Sequence, residues 1–212
     1  MDFRDEINNI LQQASDYEAE SARRKQEELQ KKVDGVCDWV RKRIKGKAYG
    51  HRDPNTPFEA KLYFACHPSE AFVRKEIMRP GRSNGSSRVE QLTLSEDILK
   101  QEKLIREQLK SGGIIVGKWK LYEAYVAYGD NVTPIPNYLC SYARAFGVYE
   151  EDEIRNAAPI NIDPYKPITA TSGRIWGTST YTFTYSQDGK SYRSNSNNHG
   201  PEWYLIMPIS FS

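Results

Sequence analysis

Residues 2–46 contain no proline and carry apolar side chains at helical spacing in two rows, one toward each end. No other feature of the chain restricts its fold as much. Phe3, Ile7, Ile10, Ala14 and Tyr17 recur at steps of 4, 3, 4 and 3, which places them along one side of a helix. A second row, Leu29, Val33, Val36, Val40 and Ile44, repeats at 4, 3, 4 and 4. The segment between them is polar, with charges ordered for a helix. Glu20 precedes Arg24, Glu27 precedes Lys31 and Glu28 precedes Lys32, each by four residues in the favourable direction. One unbroken helix of this length spans roughly 65 Å, too long to lie flat on a small domain. Gly35 is the one point of ambiguity. Asp34-Gly35 can close one helix and open another as a hairpin, whereas the Val33–Ile44 row passes through Gly35 without losing phase and favours a single rod.

After Lys47 the texture changes. The stretch YGHRDPNTPFE reads as a loop, AKLYFAC as a short buried strand, and SEAFVRKEIM as a short helix capped by Ser69. RPGRSNGSSR reads as a connection. Thr93 and Glu96 have the spacing of a capping box for a helix from about 94 to 111 that Gly112-Gly113 terminates. Ile114 to Tyr128 reads as one long strand, and residues 137–146 as a helix. An acidic turn and a proline-punctuated loop follow, from Glu150 to Pro167. Between Ile175 and Tyr185 aromatic residues alternate with threonines, Asp188-Gly189 makes a hairpin turn, and SNSNNHG reads as a loop. Trp203, Leu205, Met207, Ile209 and Phe211 line one face of a terminal strand. The expected fold is α+β: a long N-terminal helical, coiled-coil-like segment over residues 1–46, then residues 47–212 as a mainly antiparallel sheet packed with short helices.

Composition narrows the function. Thirty basic and 28 acidic residues give a net charge of +2, so charge alone implies neither nucleic acid nor membrane. The three cysteines, Cys37, Cys66 and Cys140, form no C-x-x-C pair, which suits a reducing compartment. No apolar run has the length of a signal peptide or a membrane span. The expected location is cytoplasmic.

GGIIVGKW, residues 112–119, is one residue short of a phosphate-binding loop. A true loop of that kind joins a strand to a helix and carries Ser or Thr after its lysine. Here a helix precedes it, a strand follows, and Trp119 takes the hydroxyl position, so nucleotide binding is not expected. Gly112-Gly113 instead stops a helix and Gly117 marks a bulge or a close approach. Cys66-His67 and His51 lack the spacing and carboxylates of a metal site, so neither metal nor cofactor is expected.

Three functional readings follow. The first is a non-enzymatic interaction protein that binds itself or a partner protein through Phe3, Ile7, Ile10, Tyr17 and Leu29, since a stripe that long needs cover that a body of this size does not supply. A chain of this kind without a catalytic motif fits the accessory proteins of phages and mobile elements. The second is nucleic-acid binding by Arg41, Lys42, Arg43, Lys45, Lys47 and Arg52, with Trp39, Tyr49 and His51 placed to stack on bases. The third is a cysteine hydrolase, with Cys140 near a helix start as nucleophile, His199 as base and Asn195, Asn197 or Asn198 orienting the imidazole.

Overall fold

The computed structural model describes residues 2–53, 55–66, 68–78, 88–123, 147–151, 158–174, 180–197 and 203–212. Within them the architecture is α+β, a long helix followed by two antiparallel sheets. The first helix, α1 (Phe3–Gly50), is continuous for 48 residues and passes through Asp34-Gly35. It is therefore a rod of about 72 Å, four residues longer at its C-terminal end than expected. Gly35 does not break it because helical turns on both sides are anchored: Val33, Val36, Cys37, Val40 and Ile44 are all buried. A glycine's cost of ~1 kcal/mol is small against that burial.

The six-stranded sheet has the order β6-β1-β11-β5-β7, with β4 also paired to β11. Its strands are β1 (Ala60–Cys66), β4 (Ile114–Val116), β5 (Lys120–Glu123), β6 (Gly147–Glu150), β7 (Ala158–Pro159) and β11 (Trp203–Phe211). The five-stranded sheet runs β10-β9-β8-β3-β2, from β2 (Phe72–Met78), β3 (Arg88–Leu94), β8 (Ile168–Arg174), β9 (Thr180–Gln187) and β10 (Lys190–Asn197). Two further helices, α2 (Pro68–Ala71) and α3 (Glu96–Lys110), complete the described elements. One core cluster joins the buried row of α1 to Ile98, Ile105 and Leu109 of α3 and to Leu62, Phe64, Leu205, Met207 and Ile209 of the six-stranded sheet. Tyr204 and Ile206 on the opposite face of β11 are also buried, in a second cluster with Ala65 and Tyr149. The terminal strand thus has two apolar faces rather than the expected one.

Several local expectations are corrected. The stretch 69–78 is a single helical turn followed by β2, because Phe72 to Met78 find a backbone partner in β3 that a short helix would not provide. The α3 cap is Ser95 and not Thr93: Thr93 is held in β3 opposite Val73, and the Ile98 N–H donates to Ser95 Oγ at 3.3 Å. Residues 168–174, left outside any element by the sequence, form the central strand β8 between β3 and β9. The strand β10 continues to Asn197, through most of the stretch expected as a loop. The hairpin at Asp188-Gly189 is as expected, with φ of 49° and 77° giving the left-handed pair that a two-residue turn requires. The expected helix at 137–146 lies outside the described residues.

The long strand expected from Ile114 onward is broken at residues 117–119, and Pro208 explains the break. In β11 the Pro208 carbonyl accepts from the Gly117 N–H at 2.7 Å, so that edge of Pro208 faces Gly117. A residue's N–H and C=O point to the same side of an antiparallel strand, and proline has no N–H to offer there. The facing chain leaves the ladder, with β4 pairing Ile209 to Phe211 and β5 pairing Trp203 to Ile206 on either side of the gap. Gly117 allows the close approach. A Cβ at this position would sit 2.7 Å from Pro208 Cγ and 3.2 Å from its carbonyl oxygen. Gly117→Ala is expected to cost about 1–3 kcal/mol by overpacking, read as a lowered urea midpoint; an unchanged midpoint would refute this account of the break.

Candidate interaction surface

The structure divides α1 into two parts with different surroundings. From Val33 onward its inner row is buried against α3 and the six-stranded sheet. Before Val33 every described residue is exposed except Ser21 and Leu29, which are half-buried. Phe3 and Tyr17 are each 75% exposed, Leu11 63%, Ile10 55% and Ile7 41%. These side chains form the longest apolar row left uncovered among the described residues. Leu29 stands apart from them: it lies one heptad before Val36 and belongs with the core-facing row.

The uncovered row is not an extension of the buried one. At about 100° per residue, the mean directions of Phe3–Tyr17 and Val33–Ile44 differ by roughly a third of a turn. The first row therefore points sideways from the side on which the body sits, and Leu11 alone points along the direction of the buried row, beyond the body's reach. The projecting helix is maintained by local pairs instead. Gln12 donates to Asp16 at 2.9 Å, Arg24 to Glu20 at 2.6 Å and Gln30 to Asp34 at 2.9 Å, and Arg23 lies 3.7 Å from Glu27. Glu27 thus pairs backward with Arg23, not forward with Lys31. Such pairs stabilise a helix by about 0.2–0.5 kcal/mol each. The docked half supplies a nucleus, so the projecting half need not form one.

Half of the basic cluster is engaged within the molecule. Arg41 donates to the Gln108 carbonyl at 3.1 Å and lies 3.5 Å from Asp38. Arg43 and Lys47 both reach Glu150, at 3.3 and 3.1 Å. The acidic run that the sequence presents as a separate solvated turn therefore begins in β6, and its first carboxylate, Glu150, is shared by two of the six cations. Lys42, Lys45 and Arg52 are exposed without an ion pair among the described residues, and the exposed Asp38 shares the outward face of Lys42 and Lys45. Among the aromatics, Tyr49 is 90% exposed, while the His51 ring donates to the Thr56 carbonyl at 3.0 Å and stands edge-on to Phe58. The histidine closes the loop after α1.

Of the hydrolase residues, Cys140, His199 and Asn198 lie outside the described residues, while Asn195 and Asn197 fall on β10. Burial pushes the Cys37 thiol up to about 11 and the Cys66 thiol up to about 12, so neither is a thiolate near neutral pH. No group of side chains suited to a metal ion occurs among the described residues. No helix among them is long and apolar enough to cross a membrane.

Sequence reasoning missed one polar network. Tyr165 donates from its hydroxyl to Glu102 Oε2 at 2.8 Å and accepts from the Trp119 N–H at 2.8 Å. Glu102, nearly buried, is met by Arg106 at 2.7 Å, and Arg106 also donates to the carbonyls of Val116 and Gly117. Burial and the neighbouring Glu102 carboxylate push the Tyr165 phenol well above its ordinary range, which keeps it a neutral donor. The network sits beside an open groove of about 510 Å³ lined by Lys118, Lys120, Asn161, Asp163 and Tyr165. It pins the β4–β5 corner to α3. No spacing signal could have found it, because its members lie as far as 63 residues apart. A scan against protein-family models finds no match for this chain, and a search of curated proteins finds none.

Proposed function

We propose that this protein is a non-enzymatic interaction protein that associates through the row Phe3, Ile7, Ile10, Leu11 and Tyr17 on the projecting half of α1. The supporting observation is exposure: the body covers none of these side chains, which remain 41–75% exposed, and the seam from Phe3 to Tyr17 is turned roughly a third of a turn from the side that the body covers. Full burial of a side chain of this size is worth about 1.5–3 kcal/mol. Covering five of them exceeds the lower estimates of the entropy lost on association, ~4 kcal/mol. The polar face of the same segment carries Asp2, Asp5, Glu6, Asp16, Glu18 and Glu20 against Arg4 alone. That charge disfavours anionic lipid and nucleic acid at this end and leaves a protein surface as the fitting partner.

A photo-crosslinking residue placed at Ile10 or at Gln12, on opposite sides of the helix, tests this reading. From Ile10 a discrete protein adduct is expected after irradiation in cells, and from Gln12 none. Equal labelling from both positions, or none from either, would overturn it.

A further inference from the structure

The occupant of that row, we infer, is the same row of a second copy, paired antiparallel and centred near Gln12; the inference rests on the reading just given. Ile7 and Ala14 occupy one heptad position, and Phe3, Ile10 and Tyr17 the other, at the alternating 3-4 spacing of a coiled-coil seam. The spacing fits a partner helix of the same rhythm. Ser21 is the last uncharged residue of the seam, which Arg24, Glu28 and Lys31 continue.

The charged continuation decides the orientation. A parallel, in-register pair would stack Arg24 on Arg24, Glu28 on Glu28 and Lys31 on Lys31 of the two copies, and would place both bodies at one end. An antiparallel pair centred on Gln12 overlaps only residues 3 to 21 and leaves those charges outside. Its layers set Ile7 against Tyr17, Ile10 against Ala14 and Phe3 against Ser21 of the second copy, so every large seam residue is covered. Leu11, which flanks the seam, then meets Leu11 of the second copy, whereas a parallel pair would set it beside Glu6. Arg4 faces Glu18 of the second copy twice, which offsets the two approaches of Glu6 to Glu20. Glu20 is moreover already held by Arg24 at 2.6 Å in its own helix.

Three measurements on the full chain test the pairing. Sedimentation is expected to show a concentration-dependent monomer–dimer equilibrium. Arg4→Glu should weaken the dimer several-fold, and adding Glu18→Arg should restore it, a rescue that a parallel pair does not provide. Spin labels at Gln12→Cys, in a Cys140→Ser background, should lie about 25–30 Å apart, and labels at Gln26→Cys ~50 Å apart. Short distances at both positions would mean a parallel dimer and overturn the proposal. A monomer at every concentration would also overturn it. In that case a discrete adduct from Ile10 with a different protein would leave the broader interaction reading standing, and its absence would remove both.

Discussion

Between pH 9 and about 12 the protein is expected to lose on the order of 4 kcal/mol of stability through Cys66 alone. Cys66 is 1% exposed at the end of β1, and burial raises the pKa of its thiol from 9.0 to about 12. Glu70 adds to the shift and Lys32 opposes it. The sign follows from proton linkage. Below pH 9 the thiol is protonated in both folded and unfolded chains, so the contribution is fully present. Above 9 the unfolded chain releases its proton and the folded one does not, so stability falls with pH until the folded group also ionises near 12. Three pH units at ~1.4 kcal/mol each give the magnitude, a large part of the 5–15 kcal/mol typical of a domain. Cys37 acts in the same direction up to about 11. Urea unfolding at pH 7, 9, 10 and 11 under reducing conditions, for the natural chain and Cys66→Ala, isolates the effect. The variant should start lower, because it leaves a small void, and then fall less steeply. Parallel curves would show that Cys66 is not the group responsible.

Arg106→Met is expected to cost about 3 kcal/mol. The guanidinium is the cation facing the nearly buried Glu102 and also donates to two backbone carbonyls at the β4–β5 corner. Removing it leaves a carboxylate that, among the described residues, only the Tyr165 hydroxyl still meets, and strips a donor from Val116 and Gly117. Breaking a buried pair from one side typically costs 3–5 kcal/mol. Arg106 is itself 42% exposed, which places this case at the lower end. If the uncompensated charge is the main cost, Glu102→Gln added to Arg106→Met should recover part of the loss. A single variant within ~0.5 kcal/mol of the natural chain would mean that the network stabilises little.

The α+β class, the helical character of residues 2–46, the strand at Ala60–Cys66, the hairpin at Asp188-Gly189 and the terminal strand were legible because each rests on local rules. These are the period of apolar residues, the glycine requirement at positive φ, and the absence of proline from residues 2–46. The failures share a different cause. Phe72–Met78 carries enough helix-compatible residues to read as a helix, and it became β2 only because β3 lies alongside. Thr93-x-x-Glu96 has the letters of a capping box, but pairing with Val73 kept Thr93 in a strand and moved the cap to Ser95. Pro208 and Gly117 are 91 positions apart in the sequence, and neither alone announces a broken strand.

By itself the sequence determined that the front of this chain is helical and amphipathic, since helical periodicity and the lack of proline are properties of neighbours within a few residues, while its continuity through Gly35 was settled by burial on both sides. Only the tertiary structure decided which of its two apolar rows is satisfied. Val33 to Ile44 is covered by strands and a helix drawn from the rest of the chain, and the row from Phe3 to Tyr17 is left in solvent. It likewise decided that Arg43 and Lys47, two of the six cations in an apparent basic patch, meet Glu150, a contact between residues more than a hundred positions apart. Burial and charge pairing are relations between distant segments, and no local window of residues contains them.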